Sequence, residues 1–184
     1  MNKFMITVLG KDRPGIISLV SNSLYEQGCN LENVNQMILQ KQFAGFFIVQ
    51  APGHLDVSAL KLKLSTKAEN SGLTIHVDGI VANGLTQKEE IGEIFLITTI
   101  GPDQKGLVAR FSKIIAGHNA NIENLKAVFK GGSDPDDNIM SYQVFVSKDI
   151  DTKKLFAELR EKATELGLDI RIQHKNIFEA INKI

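Results

Sequence analysis

The chain has 184 residues, of which 43% are hydrophobic and 23% are charged, a composition typical of globular domains rather than disordered chains. Its 21 Lys and Arg residues balance 21 Asp and Glu residues, whereas nucleic-acid-binding domains usually carry a basic excess. We therefore expect no direct contact with nucleic acid. No apolar run reaches the length of a signal peptide or a membrane span, and Cys29 is the one cysteine, so the sequence predicts a cytoplasmic protein without disulfides or membrane contact.

The first half of the chain predicts six elements in the order strand, helix, strand, strand, helix and strand. The first strand is an apolar, β-branched run, which is typical of a central strand. Apolar residues at helical spacing mark the first helix, and Pro14 is expected in its first turn. The predicted ranges are 5–9 for the first strand, 16–24 for the first helix, 31–40 and 42–51 for the middle strands, 57–64 for the second helix and 73–77 for the last strand.

The second half repeats the first at an offset of 91 residues. Residues 4–39 laid over 95–130 give ten identities in 36 positions without a gap, where unrelated sequences of ordinary composition give about two. The two halves are therefore expected to share one fold. The identical pairs are Phe4/Phe95, Ile6/Ile97, Thr7/Thr98, Gly10/Gly101, Asp12/Asp103, Gly15/Gly106, Ser21/Ser112, Asn30/Asn121, Glu32/Glu123 and Asn33/Asn124.

The remaining elements of the second half follow the same order. Its middle strands are joined by a turn that is four residues longer than in the first half and is rich in turn-forming residues. A short helix is expected to end the chain. The predicted ranges are 94–100, 122–130, 138–147 and 168–172 for the strands, 107–115 and 155–166 for the helices, 131–138 for the longer turn and 177–184 for the last helix.

The repeated order βαββαβ defines a ferredoxin-like unit, in which two helices cover one face of a four-stranded antiparallel sheet. The sequence therefore predicts an α+β protein with two such units in tandem. We expect the first unit at 1–81 and the second, including the short final helix, at 93–184. Residues 82–92 are polar enough to form the linker between them.

A Gly-x-Asp-x-x-Gly loop joins the first strand to the first helix in each half. The start of a helix presents unpaired N–H groups and a partial positive charge, which favour an anion. Asp12 supplies a carboxylate that would pair with a cation, and Asn30 an amide that can both donate and accept hydrogen bonds. Together they match the two charges of an α-amino acid. The alternative is that Asp12 caps the helix and Asn30 adopts a turn conformation.

The loop does not match either common phosphate-binding motif. It lacks the Lys-Ser/Thr ending of a P-loop and the middle glycine of the Rossmann fingerprint. Nucleotide binding is therefore not expected.

These loop residues carry a resemblance to a known family. The segment Gly-Lys-Asp-Arg-Pro-Gly-Ile at 10–16, followed by a helix and by Gly-Cys-Asn-Leu-Glu-Asn at 28–33, resembles the ACT family of amino-acid-binding regulatory domains. The second half keeps the pattern at 101–107 and 121–124. A pair of such domains is similar to the glycine cleavage system transcriptional repressor family. The resemblance implies a non-enzymatic regulator without a cofactor, which binds glycine or serine and acts through a protein partner such as a DNA-binding regulator.

The resemblance also implies where the ligand binds. In ACT domains the ligand lies between paired units, held by the loop after the first strand and the turn after the first helix, which suggests a homodimer. Some members have His at the positions of Gly10 and Gly101, and the second loop reads Pro-Asp-Gln-Lys at 102–105, so its pocket is expected to be altered. The implied ligand-binding residues are Asp12, Arg13, Gly15, Asn30, Asp103, Gly106 and Asn121.

No residue pattern indicates catalysis or metal binding. The four histidines are scattered, without metal-ligand spacing or a partner for general base chemistry. Two alternatives to amino-acid sensing remain open. One is a structural dimerisation module without a ligand, and the other is a regulatory segment related to that of formyltetrahydrofolate deformylase.

Overall fold

A computed structural model describes residues 2–69, 71–80, 91–129 and 138–177. The chain divides into two compact units, Met1–Leu85 and Thr86–Ile184, which we call unit 1 and unit 2. Both follow the order βαββαβ, which confirms the predicted fold class. The predicted linker at 82–92 stays a prediction, because residues 81–90 lie outside the described ranges.

Unit 1 has its four strands in one antiparallel sheet in the order β2-β3-β1-β4. β1 is the central strand, as predicted, since it pairs with both β3 and β4. The elements are β1 (Asn2–Lys11), α1 (Ile16–Glu26), β2 (Asn30–Leu39), β3 (Gln42–Ala51), α2 (Val57–Glu69) and β4 (Leu73–Gly79).

Unit 2 repeats this topology with its strands in the order β6-β7-β5-β8. The predicted long turn at 131–138 and most of the predicted final helix lie outside the described residues, although 175–177 have helical backbone. The elements are β5 (Gly92–Gly101), α3 (Leu107–Gly117), β6 (Asn121–Phe129), β7 (Asn138–Ser147), α4 (Thr152–Glu165) and β8 (Asp169–His174).

Each unit has its own apolar core between its helices and one face of its sheet. In unit 1, alternate residues of β1, from Phe4 to Val8, are buried together with Val20 of α1 and Leu60 of α2. Full burial of one such side chain contributes about 1.5–3 kcal/mol. Among the described residues, no helix combines the length and the apolar character needed to span a bilayer.

Helix α1 begins after Pro14 rather than around it. Gly15 is the N-cap residue and has φ 93°, in the left-handed region that favours glycine. This backbone reversal excludes Pro14 from the first helical turn, so that prediction is wrong. Gly106 caps α3 in the same way with φ 82°, which explains why both glycines persist in the repeat.

The Asn-x-Glu-Asn motif of both units forms a β-bulge at the start of the edge strand. The register between β2 and β3 shifts between Leu31 and Asn33, and that between β6 and β7 shifts at the same place in the repeat. The bulged residue of unit 1 is Glu32, which pairs with Lys3 at 2.5 Å. The bulge changes which later residues of the edge strand face the helices.

Candidate functional site

The predicted loop of unit 1 lines an open groove of about 670 Å³. One wall is the loop and the first turn of α1, and the other is formed by Gln36 and Ile38 of β2 and Phe43 of β3. Of the predicted site residues, Asp12, Arg13 and Gly15 lie together at this groove. The groove therefore combines polar groups on its helix side with apolar surface on its sheet side.

Unpaired backbone donors lie at the helix side of the groove. The first helical hydrogen bond of α1 runs from Leu19 N–H to the Gly15 carbonyl at 2.8 Å. The N–H groups of residues 16–18 therefore have no backbone acceptor in the described ranges. With the positive end of the helix dipole, these donors favour a carboxylate or another small anion.

Asp12 supplies the opposite charge at the same groove. Its backbone N–H donates to the Lys41 carbonyl at 2.8 Å, which fixes the loop to the tight turn between β2 and β3. Its carboxylate has no hydrogen-bond or ion-pair partner among the described residues. The alternative role of Asp12 as helix cap is wrong, because the cap is Gly15 and no side chain caps α1.

Arg13 ties the loop to another part of the unit. Its Nη2 donates to the Ser71 carbonyl at 3.3 Å, in the segment between α2 and β4. The aligned residue in unit 2, Gln104, makes the equivalent bond to the Leu166 carbonyl at 2.6 Å. Both side chains therefore hold the loop in place. A guanidinium has five donors, so Arg13 retains others that can reach a ligand.

Gly10 lies at the base of the loop, where there is no room for a side chain. A Cβ atom at this position would lie 2.6 Å from Leu73 Cδ2 and 3.0 Å from the Gly72 carbonyl oxygen. Gly101 has the same neighbours in unit 2, with Leu168 Cδ2 at 2.7 Å. The close approach of the neighbouring segment explains why a histidine is not found at either position in this chain.

Asn30 does not lie at this groove. It pairs with Gln50 at one end of β3, whereas Lys11, next to Asp12, pairs with Gln42 at the other end. Eight residues of strand separate these positions, which corresponds to about 26 Å at about 3.3 Å per residue. Within one copy of unit 1, Asp12 and Asn30 therefore cannot touch the same amino acid.

Unit 2 shows the same separation of its predicted residues. Asp103 and Gly106 are exposed at the loop. Asn121 lies at the far end of the sheet, where it lines a groove of about 460 Å³ with small residues of α3 such as Ser112 and Ala116. The residues between β6 and β7 lie outside the described ranges.

Sequence reasoning missed one polar residue of the unit 1 groove. Gln36 lines the groove from β2 and occupies a position between Val34 and Ile38 on the helix side of the sheet, opposite Gly45. Simple alternation along the strand predicts that Gln36 faces the helices only if the bulge at Glu32 is known. The bulge changes which residues after it face the helix side of the sheet. The aligned residue in unit 2 is Ala127, so the groove polarity differs between the units.

Some of the other titratable side chains form separate ion pairs, such as Lys3 with Glu32. His118 lies 3.1 Å from Glu158, and burial raises the pKa of the Cys29 thiol. In the ranges that the structure describes, no group of three or more His, Cys, Asp or Glu side chains is arranged to hold a metal ion.

Comparisons with known proteins agree with the repeat and the fold. The ACT domain family matches residues 2–78 and 93–173. A UPF0237 protein of Methanopyrus kandleri is 34% identical over 90 residues, which cover 48% of this chain and 96% of that protein. A relative of that length corresponds to about one unit of this chain.

Two solved structures share the tandem fold. An unidentified protein from Galdieria sulphuraria has a TM-score of 0.75 at 20% identity, over 94% of this chain and 98% of that one. A candidate glycine cleavage system transcriptional repressor has a TM-score of 0.70 at 16% identity, over 94% of this chain and 96% of that one. At these identities the likeness concerns the fold alone.

Proposed function

The chain belongs to the ACT domain family, and from this premise we propose that it is a non-enzymatic regulator that binds a small amino acid. The observation that carries the proposal is the groove of unit 1, where unpaired N–H groups of α1 lie beside the unpartnered carboxylate of Asp12. These two features bind opposite charges. An α-amino acid presents its carboxylate and its ammonium only a few bonds apart, so it satisfies both at once.

Calorimetric titration of the full chain with free amino acids tests this proposal. We expect heat of binding from one or a few small amino acids, glycine and serine first among them. Acetate and methylamine, which each carry one of the two charges, should bind far more weakly, because each satisfies half of the site. If no amino acid gives heat, the chain is a structural ACT module instead.

We further propose that the site is shared between two copies of the chain. β2 is an edge strand that is exposed along nearly its whole length and contains no Lys or Pro. Met37, Ile38 and Leu39 are 60%, 54% and 70% exposed. A long exposed edge strand with an apolar end favours pairing with another strand.

Two-fold symmetry makes such a pair of β2 strands antiparallel. The Asn30 end of one β2 then lies beside the end of the other β2 that lines the groove, with Gln36 and Ile38. A homodimer of this form would bring Asn30 of one copy towards Asp12 of the other. This arrangement accounts for the 26 Å separation (about eight residues of strand) within one copy.

We propose that the regulator acts on transcription through a protein partner rather than by binding DNA. The formal net charge is zero, so the chain can neutralise few phosphates, and its described elements form two ferredoxin-like units. Bound amino acid would shift the regulator between two conformations that present different surfaces to the partner. This requires that the two conformations differ in their affinity for the amino acid.

A gel-shift experiment separates the two mechanisms. The purified chain alone is expected to leave promoter DNA unshifted at physiological salt, with or without amino acid. A supershift is expected when a DNA-binding regulator is also present, and it should respond to the amino acid. Retardation by the chain alone, with a steep salt dependence, would contradict indirect action.

A further inference from the structure

The core of unit 2 contains polar groups that lack adequate partners among the residues that the structure describes. Thr99 is 1% exposed and Asn138 is 3% exposed, and within the described ranges neither Thr99 Oγ1 nor Asn138 Oδ1 has a hydrogen-bond partner. The buried Tyr142 hydroxyl donates to the Met140 sulfur at 3.4 Å, which is a weak acceptor. Buried polar groups without partners are rare in folded proteins, and each requires an explanation.

The repeat shows that the fold does not require these polar groups. The strand registers place Val8, Phe43 and Phe47 of unit 1 at the positions of Thr99, Asn138 and Tyr142, and all three are buried apolar residues in one core. Val and Thr have nearly the same shape. The polar side chains at these three positions are therefore specific to unit 2, and the sheet can form without them.

The polar groups lie at the end of the sheet that carries the ligand loop. Asn138 pairs directly with Gly101, the residue that opens the loop. Its counterpart Phe43 pairs with Gly10 and lines the groove of unit 1. Asn138 therefore takes the place of a groove-wall residue, with Thr99 one diagonal step further along the same face of the sheet.

We infer that unit 2 recognises a hydroxyl group on its ligand through Thr99 and Asn138. The inference rests on the proposed amino-acid binding and adds a chemical class, a small amino acid with a side-chain hydroxyl. Such a hydroxyl donates to Asn138 Oδ1 and accepts from the Thr99 hydroxyl, which satisfies both buried groups. Diagonal neighbours of a sheet are about 7–8 Å apart, a spacing that fits one bridging oxygen between their side chains.

Titrations of the full chain with L-serine and L-alanine test the inference, because the two differ by one hydroxyl. Serine is expected to bind about 10-fold more tightly or better, the effect of one satisfied buried hydrogen bond. Thr99→Val should reduce serine affinity to that of alanine and leave alanine unchanged. Without ligand, the melting temperature of this variant should stay the same or rise, because an unsatisfied hydroxyl has been removed. Asn138→Leu should act in the same way.

Thr98→Val is the matched control, since Thr98 is the adjacent residue on the opposite face of the sheet, paired with Ser141 and Arg171. It should retain the preference for serine. Equal binding of serine and alanine by the unaltered chain, or a preference that survives both Thr99→Val and Asn138→Leu, would overturn the inference and leave amino-acid sensing intact. Absence of heat from every amino acid would overturn the proposed function itself.

Discussion

Replacement of Gly10 by alanine is expected to destabilise unit 1 by about 1–3 kcal/mol, the usual cost of forcing extra atoms into a packed site. The added Cβ would lie 2.6 Å from Leu73 Cδ2 and 3.0 Å from the Gly72 carbonyl oxygen. Leu73 is buried in the core, and the contact with Gly72 is to a backbone atom. The steric clash can therefore be removed only if the segment before β4 moves away from β1. Urea unfolding followed by circular dichroism measures the change.

Gly53→Ala is the matched control for this substitution. Gly53 is exposed, and a Cβ atom there meets nothing within 4 Å, so the free energy of unfolding should change by no more than about 0.5 kcal/mol. If Gly10→Ala is as harmless as Gly53→Ala, the close approach at the base of the loop is not a constraint. Gly101→Ala is expected to reproduce the destabilisation in unit 2.

The fold was predictable because local pattern and repeat agree. Each β-strand and α-helix of the first half has a counterpart at an almost constant offset, so a weak signal such as the short stripe at Val57 and Leu60 is supported by the clearer one at Leu155 and Leu159. Agreement between the local hydrophobic pattern and the overall fold is what allows a sequence to specify a single structure.

The site was harder to predict because it depends on which end of the sheet each element reaches. Asp12 and Asn30 flank the same helix, but that helix returns the chain to the opposite end of the sheet before β2 begins. Proximity in sequence across a strand-helix-strand connection therefore does not imply proximity in space. Their shared ligand-binding role stays a prediction, and it now requires a second copy of the unit.

Contacts between segments that are distant in the chain also could not be predicted from the sequence. The motif residue Arg13 looks like a ligand group, but its bond to the Ser71 carbonyl depends on how closely the segment before β4 approaches the loop. By contrast, the polar substitutions at Thr99 and Asn138 are visible in the repeat alignment as exceptions to Val8 and Phe43. Their meaning follows only from burial, because a polar residue at an exposed position would need no explanation.

Replacement of Asp12 by alanine is expected to weaken amino-acid binding by about 1–3 kcal/mol, the cost of leaving a charged ligand group without its partner. Asn30→Ala should have an effect in the same range if both residues hold the ligand. The fold should survive, since both side chains are outside the core. Asp78→Ala is the control, because it removes the same charge at the other end of the sheet, where Asp78 pairs with Met5.

Mixing the two variants distinguishes a shared site from two independent effects. If Asp12 and Asn30 meet across a homodimer, a mixed dimer of Asp12→Ala and Asn30→Ala chains contains one intact site and one that lacks both groups. Mixing after dissociation should therefore restore wild-type affinity in a fraction of the sites, although neither variant binds well alone. Light scattering should give the mass of a dimer throughout. A monomer mass, or a mixture that binds no better than its parts, would show that Asn30 is not part of the Asp12 site, and the groove of a single copy would then hold the ligand without it.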